Sequence, residues 1–213
     1  HLQVQEVIAV QDVIHFSAEE DQLVKWMSEH FTTSDVVLSS DLGWNVLIPA
    51  YTAGYVYFPY GAMTLSSDEE MQERFVLTYK FLGKSAVVVE EQLTANSIYT
   101  RSMKTELPVD KDYNSFLRSY IFVDTIYPVK AGVFGKQHVY NSTLVNDLIT
   151  RYRTAAFSVS NLFKYKVDYV LLVDDEREIK DDLISRLGQQ EYDTRIVFEN
   201  DDFVVLKIGV IVQ

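Results

Sequence analysis

Between residues 17 and 31 the chain reads SAEEDQLVKWMSEHF, and its apolar positions, Leu23, Val24, Trp26, Met27 and Phe31, recur at helical spacing. Ser17 precedes this run and Glu20 follows three residues later, the spacing of a capping box in which each side chain satisfies a backbone N–H of the other. A helix is predicted there. The period then changes: DVVLSS at 35–40 is β-branched and closes on polar residues, so it reads as a short strand. DLGWNVLIPAYT at 41–52 reads as a short helix that Pro49 is expected to end. GYVYFP at 54–59 is a second strand, and SSDEEMQERFVLTYKFLG at 66–83 a second capped helix, with acidic residues in its first turn and Gly83 as its stop. In KSAVVVEEQL at 84–93 three valines favour a strand, whereas Ser85 and the trailing EEQL favour a short helix; the helix is preferred.

From about 94 to 140 the pattern loosens, and Pro108, Pro128, Gly132 and Gly135 punctuate short aromatic pieces, as in an irregular insertion. STLVNDLITRYRTAAFSVSNLFKYK at 142–166 predicts one long helix, with Leu144, Leu148, Tyr152, Ala155, Ala156, Val159 and Phe163 along one face. VDYVLLV at 167–173 is almost uniformly apolar, as a strand must be when helices cover both of its faces. EREIKDDLISRLGQQ is helical in pattern, and TRIVFENDDFVVLKI reads as two strands joined at ENDD in a hairpin. Strands alternating with helices predict an α/β fold, an open three-layer Rossmann-like sheet that is mostly parallel, with an antiparallel C-terminal hairpin. At 213 residues a single domain over 1–213 is expected, interrupted by the insertion at about 94–140.

Charge and composition narrow the function. The net charge of −12 repels phosphate backbones and removes the electrostatic term on which nonspecific nucleic-acid binding rests, so no nucleic-acid partner is expected. With no cysteine there is no thiol nucleophile, disulfide or cysteine-ligated zinc, a usage that fits an extracytoplasmic setting. The longest apolar runs, YVLLV and VVLKIGVIV, fall far short of the roughly 20 residues a membrane-spanning helix needs. The start at His1, without Met or a signal-peptide pattern, suggests a segment of a longer protein.

Signatures of self-contained catalysis are missing: there is no G-x-S-x-G elbow, G-x-G-x-x-G, phosphate loop or H-E-x-x-H. His1, His15, His30 and His138 are too scattered to form a ligand set. DKDYNS at 110–115 spaces Asp110, Asp112 and Asn114 as a calcium loop does, but Ser115 replaces the turn glycine and Ile121 the closing glutamate, so a polar turn is the better reading. NST at 141 has the form of a glycosylation sequon, and Asn141 or Ser142 reads instead as a helix cap. SSDLGWN at 39–45 lies at the carboxyl end of the first parallel strand, where open α/β sheets bind ligands. Ser40, Asp41, Trp44, Asn45, Tyr57 and Tyr60 are therefore candidate carbohydrate ligands, with rings for sugar C–H faces and polar groups for hydroxyls. Against this, Asp41 can cap a helix and the rings can fill the core. Asp174, Asp175 and Glu176 follow an apolar strand, like the acidic metal motif of nucleotide-sugar transferases. Asp174 or Asp175 is equally suited to cap the next helix, where negative charge in the first turn is stabilising, and on the residues alone both stand as metal candidates.

Taken in order, HFSAEEDQLVKWMSEH, DVVLSSDLGWNVLIPAYTAGYVYFPYGAMTLSSDEEMQERFVLTYKFL, YKVDYVLLVDDE and RIVFENDDFVVLKI resemble the C-terminal soluble domain of bacterial polytopic membrane glycosyltransferases and glycosyltransferase-like proteins of the GT-C type. The likeness lies in a Trp-bearing helix, a strand ending in small polar residues, an IPA helix, a V-D-Y-V strand and a V-F-x-N hairpin, over about two thirds of the chain. YFPYG stands where many relatives have a Gly-His pair, and 94–140 has no counterpart. The resemblance implies a noncatalytic extracytoplasmic domain beside a membrane active site, with the transmembrane part of the same polypeptide as partner and a glycan or lipid-linked sugar as ligand. It implies no cofactor, transfers no catalytic residue, and favours the cap reading of Asp174 or Asp175 over the metal one. The alternatives are a soluble carbohydrate-active enzyme with an acidic metal site at Asp174, Asp175 or Asp41, and a protein-interaction module.

Overall fold

The computed structural model describes residues 16–59, 66–94, 142–156 and 158–210. Along them run α1 (Ala18–His30), β1 (Val36–Leu38), α2 (Leu42–Tyr51), β2 (Tyr55–Val56), α3 (Asp68–Phe81), α4 (Ala86–Thr94), α5 (Ser142–Thr154), α6 (Val159–Leu162), β3 (Tyr169–Val173), α7 (Lys180–Gly188), β4 (Tyr192–Glu199) and β5 (Phe203–Val210). The strands form one open mixed sheet in the order β2-β1-β3-β5-β4. β2, β1 and β3 are parallel neighbours, while β5 is antiparallel to both β3 and β4. The predicted hairpin therefore docks by its second strand and leaves its first at the edge.

Burial explains the arrangement. Each strand residue in turn points to the opposite face, so Tyr169 and Leu171 enter one core with Leu23, Met27 and Phe31 of α1 and its loop and Trp44 and Ile48 of α2. Val170 and Leu172 enter the other, with Phe75, Val89, Leu148, Leu162 and Leu183 from α3 to α7. β5 divides the same way, Phe203 and Val205 to the first core, Val204 and Leu206 to the second. The uninterrupted apolar run in β3 is thus required, because both of its faces are dry.

Local signals behave as their chemistry dictates. Ser17 N–H donates to Glu20 Oε2 at 2.7 Å and Glu20 N–H to Ser17 Oγ at 3.1 Å, completing the expected capping box. Ser67 caps α3, and Gly83 ends that region with φ +66°, a left-handed conformation that glycine adopts without steric cost. The 84–93 segment is helical, with Ser85 Oγ accepting from Val88 N at 3.2 Å.

Three expectations are corrected. Pro49 lies inside α2 and does not end it: its fixed φ suits a helix, only the bond to the Asn45 carbonyl is forfeited, and Thr52 N–H closes the next turn on Ile48 O at 2.9 Å. The single helix over 142–166 is two, because Ser158 Oγ accepts from Asn161 N at 3.2 Å and starts a new helix, leaving Ala155 and Ala156 exposed. The cap expected of Asp174 or Asp175 is absent: the N-cap positions of the 3-10 turn Asp174–Ile179 and of α7 are Val173 and Ile179, neither of which makes a side-chain cap bond.

The connection from β1 to β2 passes over one face through α2, and that from β2 to β3 returns over the other through α3 to α6. The carboxyl ends of β1 and β3 therefore meet at a switch point, the place where open α/β sheets leave a crevice.

Candidate functional site

Two loops converge at this switch point. From β1 come Ser39, Ser40 and Asp41; Asp41 N–H donates to Ser39 Oγ at 3.1 Å, and Asp41 Oδ1 accepts from Trp44 N at 2.9 Å as the N-cap of α2. Beneath them Asn45 is fully buried, donating through Nδ2 to Ser39 O at 3.2 Å while its Oδ1 meets no partner.

From β3 the chain turns sharply. Asp174 has φ +52°, a left-handed conformation costly for a residue with a Cβ, and its N–H is held by Asp202 O at 3.1 Å. This reversal sends Asp174 and Asp175 into solvent and folds Glu176 inward, where it is 5% exposed. Glu176 Oε1 accepts from Ser40 Oγ and pairs with Lys84 Nζ at 2.8 Å; its Oε2 is buried without a partner. Asp175 lies 4.0 Å from the same ammonium. Tyr79 OH donates to Ser40 O at 3.3 Å, and burial, with the charges of Glu176 and Asp41, raises its pKa far above the ordinary phenol value. It stays a donor at any physiological pH.

The chain matches no protein-family model, no curated protein and no solved structure. What the site can do rests on its own geometry. Its Lys84 cation is engaged by Glu176, and two buried acceptors, Glu176 Oε2 and Asn45 Oδ1, lack hydrogen-bond donors. An orphan acceptor of this kind costs roughly 1–3 kcal/mol, recovered when a hydroxyl or amine donates to it. Both atoms are closed to solvent, so a donor reaches them only if the side chains around them shift.

Of the residues singled out in the sequence, Ser40, Asp41 and Asn45 come together here. Trp44 and Tyr57 do not join them as an aromatic wall. Trp44 is 4% exposed, edge-on to Phe203 at 5.1 Å in one core, and Tyr57 is fully buried in the other, donating to Leu162 O at 3.3 Å. The sheet separates the two rings. Tyr60 lies outside the described residues, as do His1, His15, His138, Asn141 and the 110–115 loop. His30 is on α1, stacked on Trp26. Among the described residues no group of three His, Cys, Asp or Glu side chains is placed to hold a metal ion, and no helix is long and apolar enough to cross a membrane. Sequence reasoning missed Lys84 and Tyr79, because nothing local distinguishes a lysine after a helix stop or one tyrosine among 14.

Proposed function

We propose that this chain is a noncatalytic, ligand-binding extracytoplasmic domain of a membrane glycosyltransferase-like protein, and that the crevice at the ends of β1 and β3 takes hydroxyl groups of a glycan or lipid-linked sugar. The membrane context rests on the ordered sequence motifs; the binding role rests on one observation, the buried Glu176 with an unpartnered oxygen at the switch point. Paired crossovers on opposite faces support a three-layer, Rossmann-like reading of the sheet.

Calorimetric titration with a panel of oligosaccharides tests the role. Glu176→Gln and Ser40→Ala are each expected to weaken binding about tenfold, the loss of one charge-assisted hydrogen bond. Binding untouched by both variants, or robust turnover of a soluble sugar nucleotide by the chain, would sink the proposal. The competing enzyme reading puts a divalent cation at Asp174 and Asp175, where Lys84 lies 4.0 Å from Asp175. Manganese titration with Asp174→Ala and Asp175→Ala separates the two.

A further inference from the structure

A concavity lies on the α1 face of the sheet, a groove of about 320 Å3 lined by Trp26, His30, Tyr169, Arg195, Val197 and Lys207. Its floor is set by strand register: Lys207 of β5 is opposite Tyr169 of β3 on one side and Arg195 of β4 on the other, so the three side chains share a face. Lys207 Nζ lies 5.4 Å from the centre of the Tyr169 ring. One rim is aromatic, Trp26 stacked on His30 at 4.7 Å. The His30 Nδ1, 2.7 Å from Trp26 O, must carry the proton, because a carbonyl only accepts.

Among the described residues seven basic side chains sit in ion pairs, and six, Lys25, Lys80, Arg151, Arg177, Arg195 and Lys207, do not. Arg74, Lys84, Arg153, Lys164, Lys166, Lys180 and Arg186 each face a carboxylate. Arg195 and Lys207 take part in none of the ion pairs among the described residues. In a chain of net charge −12, these two register-paired cations put positive charge together on one face of the sheet, with Asp193, two residues before Arg195 and opposite Gly209, the acidic residue next along that face.

We propose that this groove binds a small ring-bearing anion, a phosphorylated sugar or a sugar acid, with the anionic group between Arg195 and Lys207 and the ring against the Trp26 and His30 rim. An arginine fork beside a lysine point charge is suited to phosphate or carboxylate, and the volume falls at the lower end of small-molecule sites. Tyr169 opens β3 whereas Glu176 follows its far end, so this site and the switch-point crevice stand or fall separately.

The test is nuclear magnetic resonance titration of the chain at low ionic strength with glucose 1-phosphate, glucuronate, glucose and inorganic phosphate. Glucose 1-phosphate or glucuronate is expected to shift the Trp26 indole and the Arg195 and Lys207 amides saturably, and whichever binds tighter identifies the anionic group. Glucose should leave them unmoved, and inorganic phosphate should bind at least tenfold more weakly than the preferred ligand. In Arg195→Gln/Lys207→Gln, affinity should fall at least tenfold with spectral dispersion retained. The proposal is overturned if neither ring-bearing anion shifts these signals, if glucose shifts them equally, if inorganic phosphate binds as tightly, or if the folded double variant binds as the parent does. The titrations of the unaltered chain decide the matter even if that variant does not fold.

Discussion

At the scale of single residues, burial assigns opposite roles to neighbouring carboxylates. Asp175 is exposed, while Glu176, one position on, is held inside by Ser40 and Lys84. Removing a partner from a buried ion pair costs more than the pair contributes, since the remaining charge is left desolvated. Glu73 shows the milder, surface version: its Oε2 accepts from Lys164 Nζ at 2.8 Å and Tyr165 OH at 2.7 Å, joining α3 to the loop after α6. The bond from Lys164, then that from Tyr165, holds its pKa below the ordinary glutamate value. A depressed folded-state pKa means stability that is present above the unfolded value of about 4.3 and lost as pH falls through the folded one. Glu73→Gln should accordingly lower the thermal midpoint by roughly 2 °C at pH 7 and by progressively less as pH drops below about 4. Thermal melts followed by circular dichroism at pH 7 and pH 3 would show it, and an equal loss at both would contradict the assignment.

At the scale of elements, caps decided the boundaries that periodicity left open. Ser17 and Glu20 stop α1 at its start through two reciprocal bonds, and the amphipathic face behind them buries Leu23 and Met27. Ser17→Ala is expected to cost about 1 kcal/mol in chemical denaturation with an unchanged m-value, since one N–H of the first turn loses its acceptor. Ser158 acts the same way and for that reason divides what the apolar spacing reads as one helix over 142–166. Helical spacing reports which residues can share a face; it does not report where a hydroxyl competes for a backbone N–H. Pro49 errs in the opposite direction, because a ring near the end of a helix removes only one bond.

At the scale of the whole molecule, β3 and β5 carry the fold. Val170, Leu171, Leu172, Val204, Val205 and Leu206 are all fully buried, alternating between the two cores. Leu172→Ala should destabilise by about 3 kcal/mol, the transfer and cavity cost of a closed site. Ile196→Ala on the edge strand β4, 38% exposed, should cost under about 1 kcal/mol by the same denaturation measurement. The chain by itself determined what adjacent residues can encode: the helix and strand periods, the caps of α1 and α3, the Gly83 stop, and the double-sided burial of β3. It also marked Ser40 and Asp41 as the end of a parallel strand, where a crevice belongs. Only the tertiary structure decided which distant groups meet there. Tyr79 and Glu176 converge on Ser40, and Lys84 on Glu176, because two crossovers on opposite faces bring the ends of β1 and β3 together, and Trp44 and Tyr57 part because the sheet stands between them. Periodicity is a property of neighbours along the chain, whereas convergence depends on strand order, which no short stretch of sequence contains.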